Sequence, residues 1–89
     1  MTTDEADVDL ALRAVLHDVL GISQSRIAAM NEATPLFGAV PELDSMAVAA
    51  LLTALEDRLG IIIHDDDIDA ETFETFGKLL SFLFTKTLI

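Results

Sequence analysis

The sequence predicts an all-α fold: a small four-helix bundle of three longer helices and one short third helix, with a long loop between the first two. Three observations predict it. Apolar residues recur at helical spacing in three separate stretches, 4–20, 44–59 and 76–86. Gly21 and Gly60 directly follow the first two, where a helix stops most easily. The one β-prone run, Ile61-Ile62-Ile63, has no second strand signal to pair with, so it reads as an extended connection with Ile63 inward. The 89 residues form a single expected domain, 1–89.

Composition excludes several function classes. At 52% hydrophobic the chain has material for a core and is not of the disordered type. Sixteen acids against five bases give a net charge of -11, which repels nucleic acid and anionic membranes and attracts basic protein surfaces. With no Cys there is neither a disulfide framework nor a thiolate metal site, and any thiol chemistry has to come from an attached group. The acidic start Met1-Thr2-Thr3-Asp4-Glu5 lacks the basic region of a signal peptide. The longest apolar run, Met46–Leu55, is too short to span a bilayer. The expectation is a soluble, cytoplasmic monomer with no membrane insertion.

The first helix is expected over Asp4–Leu20, with Val8, Leu12, Val15, Leu16 and Val19 as its inner stripe. Asp4, Glu5, Asp7 and Asp9 suit the positive end of its dipole, and Arg13 and His17 fall on the polar, solvated side. Residues 22–43 are rich in turn formers, and a connection this long needs anchors. Ile27, Met30, Leu36, Phe37, Val40 and Leu43 are the candidates, with a short helical turn over Ser25–Met30.

The second long helix, dense in Ala and Leu, is the firmest. Asp44 and Ser45 stand at its start, where a short oxygen-bearing side chain caps the helix. A phosphate group also sits well there, because the first N–H groups lack partners and the dipole is positive. Leu51, Leu52, Leu55 and Leu59 form the core face, while Met46, Ala47, Ala50 and Thr53 lie towards other faces. A helix apolar nearly all round meets a partner beside Ser45, or its alanines are merely neutral helix formers.

Asp65-Asp66-Asp67-Ile68-Asp69 has the alternating acids of a calcium loop but Ala70 where Gly is needed and Phe76 where Glu is needed. It reads as a short helix with an acidic first turn, anchored by Ile68, and His64 before it reads as a capping or surface residue. Phe73 is expected to point inward. Thr75 caps a last helix whose stripe is Phe76, Leu79, Leu80 and Leu83, with Phe82 at its edge. Gly77 is costly inside a helix, which implies a close helix contact. Leu88 and Ile89 are expected to fray. For catalysis the chain offers little: no Cys, Tyr or Trp, no motif beside His17 or His64, and no G-x-S-x-G elbow around Ser45.

Four cues in order carry a family resemblance: Asp44-Ser45-Met46; Ala54-Leu55-Glu56-Asp57-Arg58-Leu59; Ile63-His64-Asp65 before the short acidic helix; and Thr75-Phe76-Gly77-Lys78-Leu79-Leu80. Over about Leu36–Leu83 the chain resembles the acyl carrier proteins. The resemblance implies a non-catalytic, stand-alone carrier. A phosphopantetheinyl transferase, using coenzyme A and magnesium, would attach a 4'-phosphopantetheine arm to Ser45, beside Asp44. The arm would hold acyl groups as thioesters for acyl-loading and acyl-processing enzymes of a specialised fatty-acid, polyketide or related pathway. Met46, Ala47, Ala50, Glu56 and Asp57 would form the partner surface. The chain departs from many members in having Glu42-Leu43 where Gly precedes Asp-Ser, and His64 in place of Pro. It also has Ala47 and Ala50 where fatty-acid carriers place acids. Three other readings stay open: an aminoacyl or peptidyl carrier, an unmodified helical interaction module with Ser45 as a mere cap, and a calcium-responsive helical protein.

Overall fold

Each α-helix begins at an oxygen-bearing cap. In the computed structural model, which describes residues 4–88, Asp4 caps α1 (Glu5–Leu20) and Ser23 caps α2 (Gln24–Ala28). Asp44 caps α3 (Ser45–Leu59) and Thr75 caps α4 (Phe76–Thr87). The caps take the third N–H of their helices, at 2.9 Å in α1 and 2.8 Å in α3, for example. Each such bond contributes about 1 kcal/mol. Gly21 (φ 71°) and Gly60 (φ 65°) end α1 and α3 in the left-handed conformation that favours glycine. Ile89 and the sequence start Met1–Thr3 lie outside the described residues.

The expected short third helix is a single 3-10 turn, Asp65–Asp67. Consecutive carboxylates repel one another, and local side-chain bonds compete with helix continuation. The Asp67 carboxylate accepts from the His64 N–H at 3.0 Å and from Lys86 Nζ at 2.6 Å. The Lys86 bond first, and the His64 N–H second, hold the Asp67 carboxyl below its ordinary range. The long loop contains the short helical turn expected over Ser25–Met30, as the five-residue helix α2, Gln24–Ala28. Among the described residues there is no strand, only an isolated antiparallel bridge between Pro35 and Thr75.

Helix α1 packs against both α3 and α4. Val8, Leu12, Val15 and Leu16 meet Leu51 and Leu55 of α3 and Phe76, Leu79, Leu80 and Leu83 of α4 in one buried cluster, with Leu52 and Leu59 half-buried at its margin. Ile22, Ile27, Met30, Leu36, Val40, Leu43 and Phe73 add the loops to this core.

Five expectations are corrected. Val19 is 39% exposed, because the α1 stripe outruns its partners in the last turn. Phe37 is 54% exposed. Leu36 and Phe37 donate their N–H groups to Glu74 and Phe73 carbonyls at 3.2 and 2.9 Å, and the turn that begins at Phe37 leaves Leu36 buried and Phe37 outward. Ile63 is half-buried. His17 is half-buried, its Nδ1 2.9 Å from the Ile22 carbonyl. Arg13 is not a solvated side chain: it bonds the carbonyls of Ile27 (2.5 Å) and Met30 (3.1 Å), pairs with Asp9, and lies 4.6 Å over the Phe76 ring.

Gly77 is explained by a close contact, though with the loop and not with a helix. Its N–H donates to the Glu32 carbonyl at 3.0 Å, and a Cβ built there would stand 2.8 Å from that oxygen. The Phe76 N–H donates to Thr34 O at 2.8 Å, so the loop accepts from the first two N–H groups of α4, which have no acceptor within the helix.

Gly77→Ala should therefore destabilise the protein by about 1–3 kcal/mol, since backbone must shift, outweighing the roughly 1 kcal/mol helix-propensity gain. Urea denaturation with an unchanged m-value would show it. Arg13→Ala should cost about 1.5–3 kcal/mol by leaving two carbonyls without their charged donor. Arg13→Lys should restore little, because one ammonium cannot reproduce the planar fork.

Candidate functional site

The first turn of α3 decides what Ser45 can do. The Asp44 carboxylate takes the Ala47 N–H, and the Asp44 carbonyl takes the Val48 N–H at 2.9 Å. Asp44 is thus the cap, and Ser45 is the first helical residue with an exposed side chain. Ser45 and Met46 contribute the N–H groups that have no acceptor within the helix, at its positive end. At α4 the equivalent pair is taken by loop carbonyls.

The segment leading into this turn is held from three sides. Val40 and Leu43 are buried, and their N–H groups donate to Leu36 and Val40 carbonyls at 2.9 and 3.0 Å. Glu42 receives both terminal nitrogens of Arg26 from α2, one at 3.0 Å. This fork holds the Glu42 carboxyl below its usual range and raises Arg26. Leu43 stands where many acyl carriers have Gly, but no residue other than glycine has positive φ among those described, and the left-handed turn is made earlier, at Gly38 (φ 88°). Leu43 serves as an anchor instead.

Two clefts open on Ser45. One, of about 270 Å³, is walled by Phe37, Val48, Ile68, Ala70 and Phe73 with Asp69 at its edge. The other, of about 430 Å³, runs along α3 past Val48, Ala49 and Leu52 to Glu56 and Ile63. Val48 and Ile68 line both. A larger hollow, about 620 Å³, does not reach Ser45 and is lined by Glu5, Glu32, Asp69 and Glu71.

Of the surface residues predicted on α3, Met46 is 85% exposed, Ala50 and Asp57 are exposed, and Ala47 is half-buried. Glu56 is half-buried and accepts from the Ile63 N–H at 2.9 Å, a bond within the fold. Asp67 and Asp69 are also engaged internally, Asp69 with the N–H groups of Glu71 and Thr72. The His64 side chain is exposed. Sequence reasoning missed Phe37 as a wall of the site, because the turn over 37–39 that sends its ring outward is set by bonds to Phe73 and Glu74. The Arg26–Glu42 fork had no sequence signal.

Ser45 is thus an exposed serine at a helix N-terminus with two largely apolar clefts opening on it, in an all-helical domain. The family described as "Phosphopantetheine attachment site" matches residues 11–83. The solution structure of a holo acyl carrier protein from Nitrosomonas europaea is similar with a TM-score of 0.81 and 40% identity, over 92% of this chain and 96% of that one. A comparison with curated proteins finds no match. The chain belongs to the acyl carrier protein family, whose members are non-catalytic and bear a covalent 4'-phosphopantetheine. The residues present fit such a group: a hydroxyl to esterify, a helix N-terminus for the phosphate, and apolar walls for the arm. Among the described residues no helix is long and apolar enough to cross a membrane.

Glu42→Gln should loosen the entry to α3, seen as hydrogen exchange a few-fold faster at the Leu43 and Ala47 amides at neutral pH. The Glu42 carboxyl is depressed in the fold, so its contribution is present above the unfolded carboxylate range and lost as pH falls through the folded value. The difference between wild type and variant should vanish over that acidic window.

Proposed function

We propose that Ser45 is the attachment serine, and that the protein carries acyl intermediates for a specialised fatty-acid, polyketide or related pathway in the cytoplasm, as a monomer. The observation that carries this reading is the division of labour at the start of α3: Asp44 caps the helix and leaves the Ser45 hydroxyl exposed. The neighbouring chain from Nitrosomonas europaea is a holo acyl carrier protein, which supports the same state for this one.

Each residue then has a definite task. Ser45 offers Oγ as the ester oxygen. The Ser45 and Met46 N–H groups and the α3 dipole favour the negative phosphate beside them. Asp44 and the Arg26–Glu42 fork keep the turn in place. Val48, Ile68 and Phe73 supply apolar walls for an arm or its cargo. When bound, the arm supplies the thiol that this cysteine-free chain lacks. A tethered acyl group is delivered at high local concentration. Met46, Ala47, Ala50 and Asp57 are the surface a partner enzyme meets, and a phosphopantetheinyl transferase is the first of these partners. Ala47 and Ala50, where fatty-acid carriers hold acids, favour a specialised pathway.

Intact mass tests the assignment. Incubation of apo protein with coenzyme A, magnesium and a promiscuous phosphopantetheinyl transferase should add one phosphopantetheinyl group, and Ser45→Ala should gain nothing. A folded wild type that gains no mass with several transferases, or a Ser45→Ala protein that still gains it, would overturn the reading.

A further inference from the structure

We infer that Lys86, in the last turn of α4, is a positioning residue for the two clefts at Ser45: through Asp67 it latches the segment 60–71 that walls them, and releasing this latch opens them. This deepens the proposed function, and its meaning for a carried group rests on Ser45 being the attachment serine.

The segment is held lightly. No side chain described in 60–71 is fully buried: Ile61, Ile63 and Ile68 are half-buried, and Ile62 is exposed. Its flanks are fixed, by buried Leu55 before it and by buried Thr72 and Phe73 after it. Local turn bonds aside, two hydrogen bonds tie the described residues of 62–71 to the rest of the fold. The Glu56 carboxylate accepts from the Ile63 N–H at 2.9 Å, and Lys86 Nζ donates to the Asp67 carboxylate at 2.6 Å. A stretch with so few buried apolar contacts opens separately from the core and at lower cost.

The same segment lines what opens on Ser45. Ile68, next to Asp67 in sequence, lines both clefts; Ile63 lines the larger and Ala70 the smaller. Their other walls, Val48 of α3 and buried Phe73, belong to anchored parts of the fold. Movement of 60–71 therefore changes the room beside Ser45 while α3 stays in place. Lys86 suits the role of latch. Its pair with Asp67 is the least exposed of the five ion pairs among the described residues, so salt and water screen it less than the others. Its ammonium lies 5.9 Å from the Phe82 ring centroid, and its place in the last turn of α4 suits the negative end of the helix dipole. The Asp67 oxygen that it holds also accepts the His64 N–H, so one carboxylate oxygen both closes the 3-10 turn and ties it to α4.

Native-state hydrogen exchange on the apo protein is the first test. The Ile63 amide is bonded to Glu56, not to Lys86 or Asp67, so its exchange reports opening of the segment as a unit. In wild type it should exchange faster than the Leu51 and Leu55 amides and with a weaker dependence on added denaturant, the mark of a sub-global opening. Lys86→Met keeps the apolar stem and removes the charge; it should speed Ile63 exchange about fivefold, the order expected from losing one partly exposed ion pair. Lys78→Met, which removes the same charge from the exposed pair with Glu74, should leave Ile63 exchange as in wild type. Lys86→Arg, which keeps a charge for Asp67, should fall back towards wild type. Protected Leu51 and Leu55 amides in the same spectra establish that the variants are folded. The second test uses protein loaded by a transferase with a hexanoyl-phosphopantetheine arm: hydroxylamine should cleave the thioester a few-fold faster on Lys86→Met than on wild type, in step with the larger open population. Ile63 exchange unchanged by Lys86→Met, wild-type Ile63 exchange that follows the core amides in rate and denaturant dependence, or equal thioester cleavage would each overturn the inference and leave the attachment reading standing. A wild type that no transferase loads would overturn the attachment reading, and the exchange rates would still decide the latch.

Discussion

The connection between α1 and α3 has to be tied down, and most of the structure follows from how that is done. It is long and poor in secondary structure, so its carbonyls and N–H groups need partners from outside itself. Arg13 supplies two donors to the end of α2, and the start of α4 supplies two more to Glu32 and Thr34. Both clasps meet at Phe76, whose ring lies under the Arg13 guanidinium and whose N–H makes one of the loop bonds. The close approach at Gly77 follows, because only a residue without Cβ lets the loop come so near.

The site inherits its order from this loop. Leu36, Val40 and Leu43 enter the core in succession, and the Arg26–Glu42 fork holds the last turn before Asp44. Ser45 is thus presented by a segment anchored on both sides. Leu36 is buried, and the neighbouring Phe37 is left on the wall of the cleft that reaches Ser45.

The acidic composition is distributed unevenly. Several carboxylates cap helices or turns, as Asp4, Asp44, Asp67 and Asp69 do, and others pair with the few cations, as Asp18 does with Arg58. Ser45–Leu55 itself carries no charged residue, on a strongly negative protein.

The all-α class, the three long helices, the glycine stops of the first two, the Thr75 cap and most of the inner faces of α1, α3 and α4 were legible in sequence, because periodicity and capping are local properties set within a few residues. Asp44-Ser45 at the start of α3 was legible for the same reason. Tertiary structure decided how Arg13 is used and the retreat of the third helix to a single 3-10 turn. It also decided that Gly77 faces a loop and that Phe37 faces outward. In each case the deciding partner lies far along the chain: Met30 for Arg13, Lys86 for Asp67, Glu32 for Gly77, Phe73 for Phe37. No local pattern encodes such a partner, since it is brought close only when the helices pack.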